Sequence, residues 1–442
     1  MKVFFVSLGC DKNLVDSEKM LSLVAKEGFE LTDDESVAEI IIINTCCFIH
    51  DAKEESIETI IEMGQWKQKG QCKALIVAGC LAQRYHKEIQ EELPEVDGIV
   101  GTTAFDQIVP VIRDVLAGQK EECLKDIDYM PVNLTGRLSS MGNFTSYLKI
   151  AEGCNKCCSY CIIPKLRGHY RSVMMEELLQ EANELAQAGT VELILVAQET
   201  TLYGVDLYGE KMLPKLLKEL CKIEKLEMIR ILYCYPEEIT KEFIQVIKEE
   251  PKICHYLDMP IQHCSDRILK KMGRRTNRKE LTEKISMIRK EIPDICLRTS
   301  LITGFPTETE EEVEELLDFV KEIRFNRLGV FTYSPEEDTP AAMMDGQIDE
   351  QVKQERKERI MEAQQEIAFA YNDEKVGSCQ LVLVEGEIPE DNVYVGRTYM
   401  DAPNVDGCIF IEGSGELLSG TIVKAQVTDA NGYDLLGILM DE

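Results

Sequence analysis

Short unbroken apolar runs alternate along this chain with longer stretches in which apolar residues recur every three or four positions. Val3-Phe-Phe-Val-Ser-Leu8, Ile40-Ile-Ile-Ile-Asn44 and Ala74-Leu-Ile-Val-Ala78 are runs of the first kind. Such runs, separated by helical stretches, predict a parallel sheet covered on both faces. From Ser146 the rhythm resumes, with strands predicted at Tyr147–Ala151, Val191–Ala197, Met228–Leu232, Tyr256–Met259, Leu297–Ile302 and Arg327–Phe331. The clearest intervening helix carries Val313, Leu316, Leu317, Val320 and Ile323 on one stripe, behind a capping box of Thr307 and Glu310. Six βα units predict a partial barrel whose reaction face lies at the carboxyl ends of the strands. A long helix, roughly Asp349 to Tyr371, leads to five strand-like segments: Gln380–Glu387, Val393–Met400, Cys408–Glu412, Thr421–Thr428 and Tyr433–Leu439. Their size suits a small barrel of oligonucleotide-binding (OB) type.

The fold class is therefore α/β, in three parts. An N-terminal parallel α/β sheet domain spans residues 1–116 and a connector with Gly118, Pro131, Gly136 and Gly142 spans 117–143. A central partial (βα)6 barrel spans 144–371 and a small β-barrel 372–442. A length of 442 residues fits several cores better than one. No signal peptide and no long apolar run are present, since Met1-Lys-Val-Phe-Phe5 enters strand-like sequence at once, so the cytoplasm and no membrane are expected. In that compartment the 17 cysteines read as reduced thiols for metal binding or catalysis rather than as disulfides.

Acids outnumber bases 80 to 49, a net charge of −31. Phosphate binding rests on clustered Lys and Arg, so this balance argues against a nucleic-acid partner and favours a basic one, drawn in by the long-range field. The C-terminal barrel is acidic in itself, with 14 acids and 3 bases from Tyr371 to Glu442. Two basic runs oppose the trend, Lys165–Arg171 and Lys270–Lys279. Each is either a solvated face or a contact for RNA or an anionic loop.

The chemistry concentrates in cysteines. Cys154, Cys158 and Cys161 sit in Glu152-Gly-Cys-Asn-Lys-Cys-Cys-Ser-Tyr-Cys161, a C-x3-C-x2-C loop that follows the first strand of the barrel. Three thiolates fill three corners of a cubic iron–sulfur cluster and leave the fourth iron open to a small chelating molecule; a zinc site or ferredoxin cluster would want a fourth cysteine. Cys157 is extra to the spacing and is expected to be a packing thiol. Cys10, Cys46 and Cys80 each stand at the carboxyl end of one of the first three strands, where α/β sheets build their sites, so one sheet edge gathers a second trio. Cys47 competes with Cys46 on distance alone, while Cys72 and Cys123 have no matching place.

Along essentially its whole length the chain resembles the radical S-adenosylmethionine (SAM) methylthiotransferases. The runs that carry the resemblance are Leu8-Gly-Cys-Asp-Lys-Asn-Leu-Val-Asp-Ser-Glu18, Asn44-Thr-Cys46, Ala78-Gly-Cys80, the Cys154–Cys161 loop and Gly304-Phe-Pro-Thr-Glu-Thr309. Asp11 departs from the proline usual in that family and is not expected to touch a ligand. The resemblance implies a radical SAM core, a C-terminal TRAM domain and two 4Fe–4S clusters, one on Cys154, Cys158 and Cys161 and one on Cys10, Cys46 and Cys80. It implies that SAM chelates the open iron of the first through its amino and carboxylate groups, is cleaved by one-electron reduction from an electron donor, and yields a 5′-deoxyadenosyl radical. That makes Cys154, Cys158 and Cys161 catalytic. The second cluster holds or donates the sulfur, which a second SAM methylates. An unactivated C–H demands such a radical route, because no base removes its proton.

Other site residues follow from the same comparison and from position. Tyr160 falls where the family sets an aromatic against adenine, and Gly304, with Phe305 and Pro306, resembles its adenosyl-binding turn. Gln198, Glu199 and Gln262 follow strand ends on the reaction face, as cofactor contacts or as satisfied polar residues, and Arg298 is a candidate partner for the SAM carboxylate. Two branches of the family compete. One modifies an adenosine in tRNA; the other adds a methylthio group to the β-carbon of an aspartate in small-subunit ribosomal protein S12. Tyr160-Cys-Ile-Ile-Pro-Lys-Leu-Arg-Gly168, Tyr235-Pro-Glu-Glu238, Asp258-Met-Pro-Ile-Gln-His263 and Val395-Gly-Arg-Thr-Tyr-Met-Asp-Ala-Pro-Asn-Val-Asp-Gly407 resemble the second. The expected partners are thus a basic ribosomal protein, free or in the subunit, and an electron donor, with tRNA disfavoured. A non-catalytic iron–sulfur scaffold or electron carrier is the alternative outside enzymes.

Overall fold

The three unbroken apolar runs become three neighbouring strands of one parallel sheet. In the computed structural model, which describes residues 1–131, 136–140, 142–389, 392–413 and 416–440, β1 (Lys2–Ser7), β2 (Glu30–Leu31), β3 (Ile40–Thr45), β4 (Ala74–Ala78), β5 (Gly98–Val100) and β6 (Glu121–Cys123) lie in the order β2-β1-β3-β4-β5-β6, all parallel. Alternation explains the burial of both faces. Ile41, Ile43, Leu75 and Val77 pack with Ile60 and Met63 from the helix His50–Gly64. Ile40, Ile42, Ala74 and Ile76 pack on the other face with Met20, Val24, Ile108 and Ile112. β6 lies beyond the boundary predicted at residue 116: Gly101 N donates to Cys123 O (2.9 Å), and the sheet takes its edge strand from the predicted connector. Glu121-Glu-Cys123 carries no apolar run because only an edge is built there. Residues 132–135 and 141 of that connector lie outside the described residues.

The central unit is an arc of parallel strands. β7 (Thr145–Lys149) is followed by a short antiparallel pair, β8 (Ala151–Glu152) with β9 (Arg171–Ser172), which brackets the cysteine loop. β10 (Glu192–Val196) and β11 (Met228–Ile231) join β7 in one sheet, and β12 (Tyr256–Asp258), β13 (Cys296–Thr303) and β14 (Arg327–Thr332) form another. The bridge between Ile229 and Ile253, and the bond from Cys234 N to Asp258 O (2.8 Å), join the two into six consecutive strands. No pairing closes β14 back to β7 among the described residues, so the partial barrel holds. The helix Glu310–Ile323 starts two residues later than expected. Thr309 and Glu312 form the capping box, with Thr309 N bonded to Glu312 Oε2 (3.0 Å). The same four-residue pattern occurs twice in register, and Thr307 is lost to it because its hydroxyl accepts from Lys271 (2.6 Å) in the preceding turn.

The last helix, Glu350–Asp373, is capped by Asp349 and leads to β15 (Cys379–Ile388), β16 (Val393–Arg397), β17 (Ile409–Glu412), β18 (Ile422–Asn431) and β19 (Asp434–Leu439). These close into a barrel in the order β15-β16-β17-β19-β18. The segment between β16 and β17 enters the amino-terminal end of the arc. Arg230 donates to the carbonyls of Tyr399 (2.8 Å) and Thr398 (3.2 Å), the Tyr256 hydroxyl to Asp406 (2.6 Å), Cys296 Sγ to Met400 O (3.4 Å) and Arg327 to Asp401 (2.7 Å). Glu192 accepts from both Arg230 (2.9 Å) and Arg397 (2.6 Å), all three buried. The run Val395–Gly407 thus forms the floor of the central barrel. Among the described residues no helix is long and apolar enough to cross a membrane.

Candidate active site

The N-terminal sheet is docked with its carboxyl edge against the open, carboxyl end of the arc. Lys19 pairs with Glu181 (3.3 Å), and Arg137 with both Glu18 and Glu181 (2.9 Å each). On the far side Glu336 takes Lys53 (3.0 Å) and Arg84 (3.1 Å). The Tyr233 hydroxyl, just past β11, donates to Asp11 Oδ1 (3.2 Å). Asp11, Lys12 and the Tyr233 ring stack across the same seam, with Lys12 Nζ 3.4 Å from the ring centroid. The odd residue of the family pattern therefore stands at the contact between domains.

Local geometry builds the first trio at the sheet edge. Cys10 caps the helix Asp11–Lys26, Cys46 follows β3, and Cys80 is the second residue of the helix Gly79–Arg84. Asn13 Nδ2 bonds to the carbonyls of Leu8 (2.8 Å) and Thr45 (3.0 Å), and Thr45 Oγ1 to that of Ala78 (2.6 Å), so side chains tie the three strand ends together. A Cβ at Gly9 would stand 2.9 Å from Cys46 Sγ, which places that sulfur against Cys10's own loop. Cys47 packs in one apolar cluster with Ile41, Ile60, Leu75 and Cys80. Burial, and then Cys80 and Cys10, push the Cys46 thiol up to about 12. Gly79 turns with φ +91°, and a Cβ there would meet Asn44 Oδ1 at 2.3 Å and Thr45 O at 2.6 Å. Gly79→Ala is expected to destabilise the fold by at least about 1–2 kcal/mol, the left-handed penalty alone; the midpoint of urea unfolding measures it.

The second trio hangs on the loop between β8 and β9. Cys154 N donates to Gly168 O (3.1 Å), Cys161 N to Cys158 O (3.0 Å) and Ser159 N to Met272 O (2.9 Å). Cys154 and Cys158 are buried and Cys161 half-buried, whereas Cys157 is exposed at φ +52°. Cys157 is therefore not the packing thiol expected; the loop's reversal turns it outward. Burial raises the Cys154 thiol to about 11, against a backbone N–H of Lys156 that points at its sulfur (3.4 Å). Tyr235 Oη lies 4.0 Å from Cys158 Sγ.

Polar atoms without hydrogen-bond partners lie near this loop. Gln198 Oε1, Glu199 Oε2, Tyr170 Oη, Glu237 Oε2 and Arg274 Nε and Nη1 are buried and make no hydrogen bond within the described chain, with only long ion pairs at Glu199 (3.8 Å to Lys156) and Glu237 (3.7 Å to Arg274). Buried polar atoms are rarely left so, and a bound zwitterion with an ammonium and a carboxylate supplies what they lack. Burial raises the Glu199 carboxyl to about 7, in spite of Thr201 and of Lys156 at 3.8 Å. Among the described residues no three cysteine, histidine or carboxylate groups converge on a single-ion site. A cubic cluster spreads its thiolates over separate irons, so it asks for wider spacing than one ion does.

The remaining predicted residues divide. Tyr160 packs beside Phe305, Met272 and Tyr333, near Cys158 and Arg274. Gln198 donates to Glu152 Oε1 (2.9 Å). Gln262, at φ +71°, extends the pairing of β12 with β13 through Ser300 O (2.9 Å). Gly304 N donates to Glu308 (2.9 Å), and Lys353 fills the side where a Cβ would stand, so packing alone calls for glycine there. Arg298 does not reach the reaction face: Asp258 (2.8 Å) and Asp406 (3.6 Å) engage its guanidinium near the floor. Within the basic runs Arg167 and Arg274 are buried, which neither reading foresees, while Lys165, Lys270, Arg275 and Lys279 are exposed, as a solvated face requires. Arg167 bonds to Asp16, Glu152 and Asn13, and Arg274 lies over the Tyr235 ring, 4.2 Å from its centroid. Sequence spacing carried no sign of these partners, which stand up to 154 positions away.

Comparison with known proteins fits this geometry. Residues 2–101 match the family described as Uncharacterized protein family UPF0004, residues 148–320 the Radical SAM superfamily, and residues 376–440 the TRAM domain. The chain is 61% identical over 437 residues to the ribosomal protein uS12 methylthiotransferase RimO of Lachnoclostridium phytofermentans, covering 99% of each chain. It is 47% identical over 442 residues to the protein of the same name from Clostridioides difficile, covering 100% of this chain and 99% of the other. Among solved structures, the radical SAM methyltransferase TsrM from Kitasatospora setae shares the fold, with a TM-score of 0.53 at 14% identity over 77% of each chain. A radical SAM domain takes a 4Fe–4S cluster and SAM. With near-complete coverage at that identity, the chain belongs to the RimO family of radical SAM methylthiotransferases.

Proposed function

We propose that this enzyme adds a methylthio group to the β-carbon of an aspartate in ribosomal protein uS12, using two 4Fe–4S clusters, one on Cys154, Cys158 and Cys161 and one on Cys10, Cys46 and Cys80. The observation that carries the reading is that Arg167, which with its partner Glu152 flanks the Cys154–Cys161 loop, is bonded across one seam between two domains to Asn13 and Asp16 of the helix that Cys10 opens. A lone electron-transfer cluster would need only one trio. When bound, the cofactors supply a radical that takes hydrogen from the unactivated carbon, together with the sulfur and the methyl group.

The chain's own residues bind, orient and exclude water. Glu199, with Gln198, offers acceptors for the ammonium of SAM, and the orphaned donors of Arg274 suit its carboxylate. Tyr160, against Phe305, offers a face for adenine, and Gln262 and Gly304 complete the rim. The docked N-terminal domain covers the open end of the barrel and keeps water from the radical. A cytoplasmic one-electron donor is the further partner. The charge of −31 favours a basic protein substrate over tRNA.

The mass of uS12 from cells with and without the enzyme tests this. A gain of one SCH2 unit on an aspartate, present only with the enzyme, is expected. Equal masses would refute the reading. Tight, steeply salt-dependent tRNA binding, with a methylthio mark on a tRNA adenosine, would move the activity to the other branch.

A further inference from the structure

Arg167 stands between the two cysteine trios. Its side chain is fully buried, 1% exposed. Nη1 donates to Asp16 Oδ2 (3.1 Å) and to both oxygens of Glu152 (3.0 and 2.9 Å), and Nη2 donates to Asn13 Oδ1 (2.9 Å). Asn13 and Asp16 belong to the helix that Cys10 caps. Glu152 precedes Cys154 in the second loop, and Gln198 bonds to it (2.9 Å). Arg167 ends the short helix Ile163–Arg167 that follows Cys161. Ile162, at the start of this short helix, and Leu166 within it pack in one apolar cluster with Cys80 and Leu81, and the Arg167 charge acts to lower the Cys80 thiol that burial raises. One side chain thus touches the surroundings of Cys10, Cys80, Cys154 and Cys161.

Lys149 adds a second cation, bonded to Asp16 and to Glu152 (2.7 Å), so two cations balance two carboxylates in a dry interior. Such a quartet is a poor device for stability, since apolar side chains of like volume serve as well or better. What it offers is a fixed positive charge and a rigid fork at a chosen place. Lys149 stabilises the same carboxylates without touching a thiol. Arg167 alone of the pair ends a helix that packs with a cysteine of the first trio.

We propose that Arg167 is a positioning residue for the reaction: it locks the Cys80 corner of the first trio to the Cys154–Cys161 loop, and its charge raises the reduction potential of the cluster that the first trio carries. The inference rests on the two-cluster reading above. A cluster gains a negative charge on reduction, and a buried cation near its thiolates favours that form.

The test uses the full-length protein with Cys154, Cys158 and Cys161 replaced by alanine, reconstituted anaerobically, so that only the first trio's cluster is titrated by EPR potentiometry. Arg167→Gln is expected to shift the redox equilibrium about tenfold toward the oxidised form, about 59 mV more negative for a one-electron couple. Lys149→Gln, which removes the same charge from the same network, is expected to shift it by less than about a third of that. Equal shifts, or none for Arg167→Gln, would overturn the inference. Should Arg167→Gln fail to fold, Arg167→Met, which also removes the charge, is judged by the same criterion: a larger fall than Lys149→Gln supports it, an equal or absent one overturns it. No iron–sulfide signal in the triple-alanine protein would instead sink the two-cluster reading.

Discussion

Cys158→Ala is expected to abolish the release of 5′-deoxyadenosine from SAM under anaerobic reduction, whereas Cys157→Ala leaves it at the wild-type level. The two residues are neighbours in sequence and opposites in structure. Cys158 is 5% exposed and lies close to Tyr235, Tyr160 and Arg274. Cys157 points to solvent at φ +52°. Loss of one of three thiolates leaves a second iron without a protein ligand, and no other buried cysteine lies in that loop to replace it. Chromatographic assay of 5′-deoxyadenosine after single-turnover reduction decides the matter. Equal losses in both variants would show that the spacing had been assigned to the wrong sulfur.

Glu192→Ala is expected to cost about 3–5 kcal/mol, because it leaves Arg230 and Arg397 buried with no carboxylate between them. All three side chains are within a few per cent of full burial. The same contact predicts a pH dependence. Burial acts to raise the Glu192 carboxyl, but Arg397 and Arg230 outweigh it and hold the group down to about 2, below its usual 4.5. A depressed carboxyl stabilises fully above its unfolded value, so this contribution is complete above about pH 4.5 and is lost as pH falls toward 2. Urea unfolding of wild type and variant across that range measures both effects. The difference between them is expected to shrink as the pH falls through that window.

Much of this architecture was legible in one dimension because its signals are local. Ile40–Ile43 and Leu193–Val196 are unbroken because both faces of their sheets are covered, and the Gly-Cys pairs at Gly9 and Gly79 mark where strands turn into helices. The cysteine spacing and the five strands of the last barrel are local in the same way. What escaped was set by partners far off in the chain. Lys165–Arg171 reads as a charged surface until Asp16 and Glu152 are found beside Arg167. Arg298 lies on a strand of the barrel, but the carboxylates that occupy it come from β12 and from the loop at Asp406. Glu121–Cys123 has no apolar signature, since its pairing is made by backbone alone. Cys157 was hidden for a different reason: a residue's direction in a reversing loop depends on one torsion, which spacing does not reveal.

The Thr398–Asp406 segment gives the chain an order of completion. As the ribosome delivers the polypeptide from its amino end, the central strands emerge while Arg230, Tyr256 and Arg327 still lack the carbonyls and carboxylates that finally satisfy them. Domains that mature during synthesis usually do so as each leaves the exit tunnel. Here the middle one must wait for its successor, and a message cut short before codon 398 yields a product with raw charged sockets, fit for the proteases rather than for loading with metal.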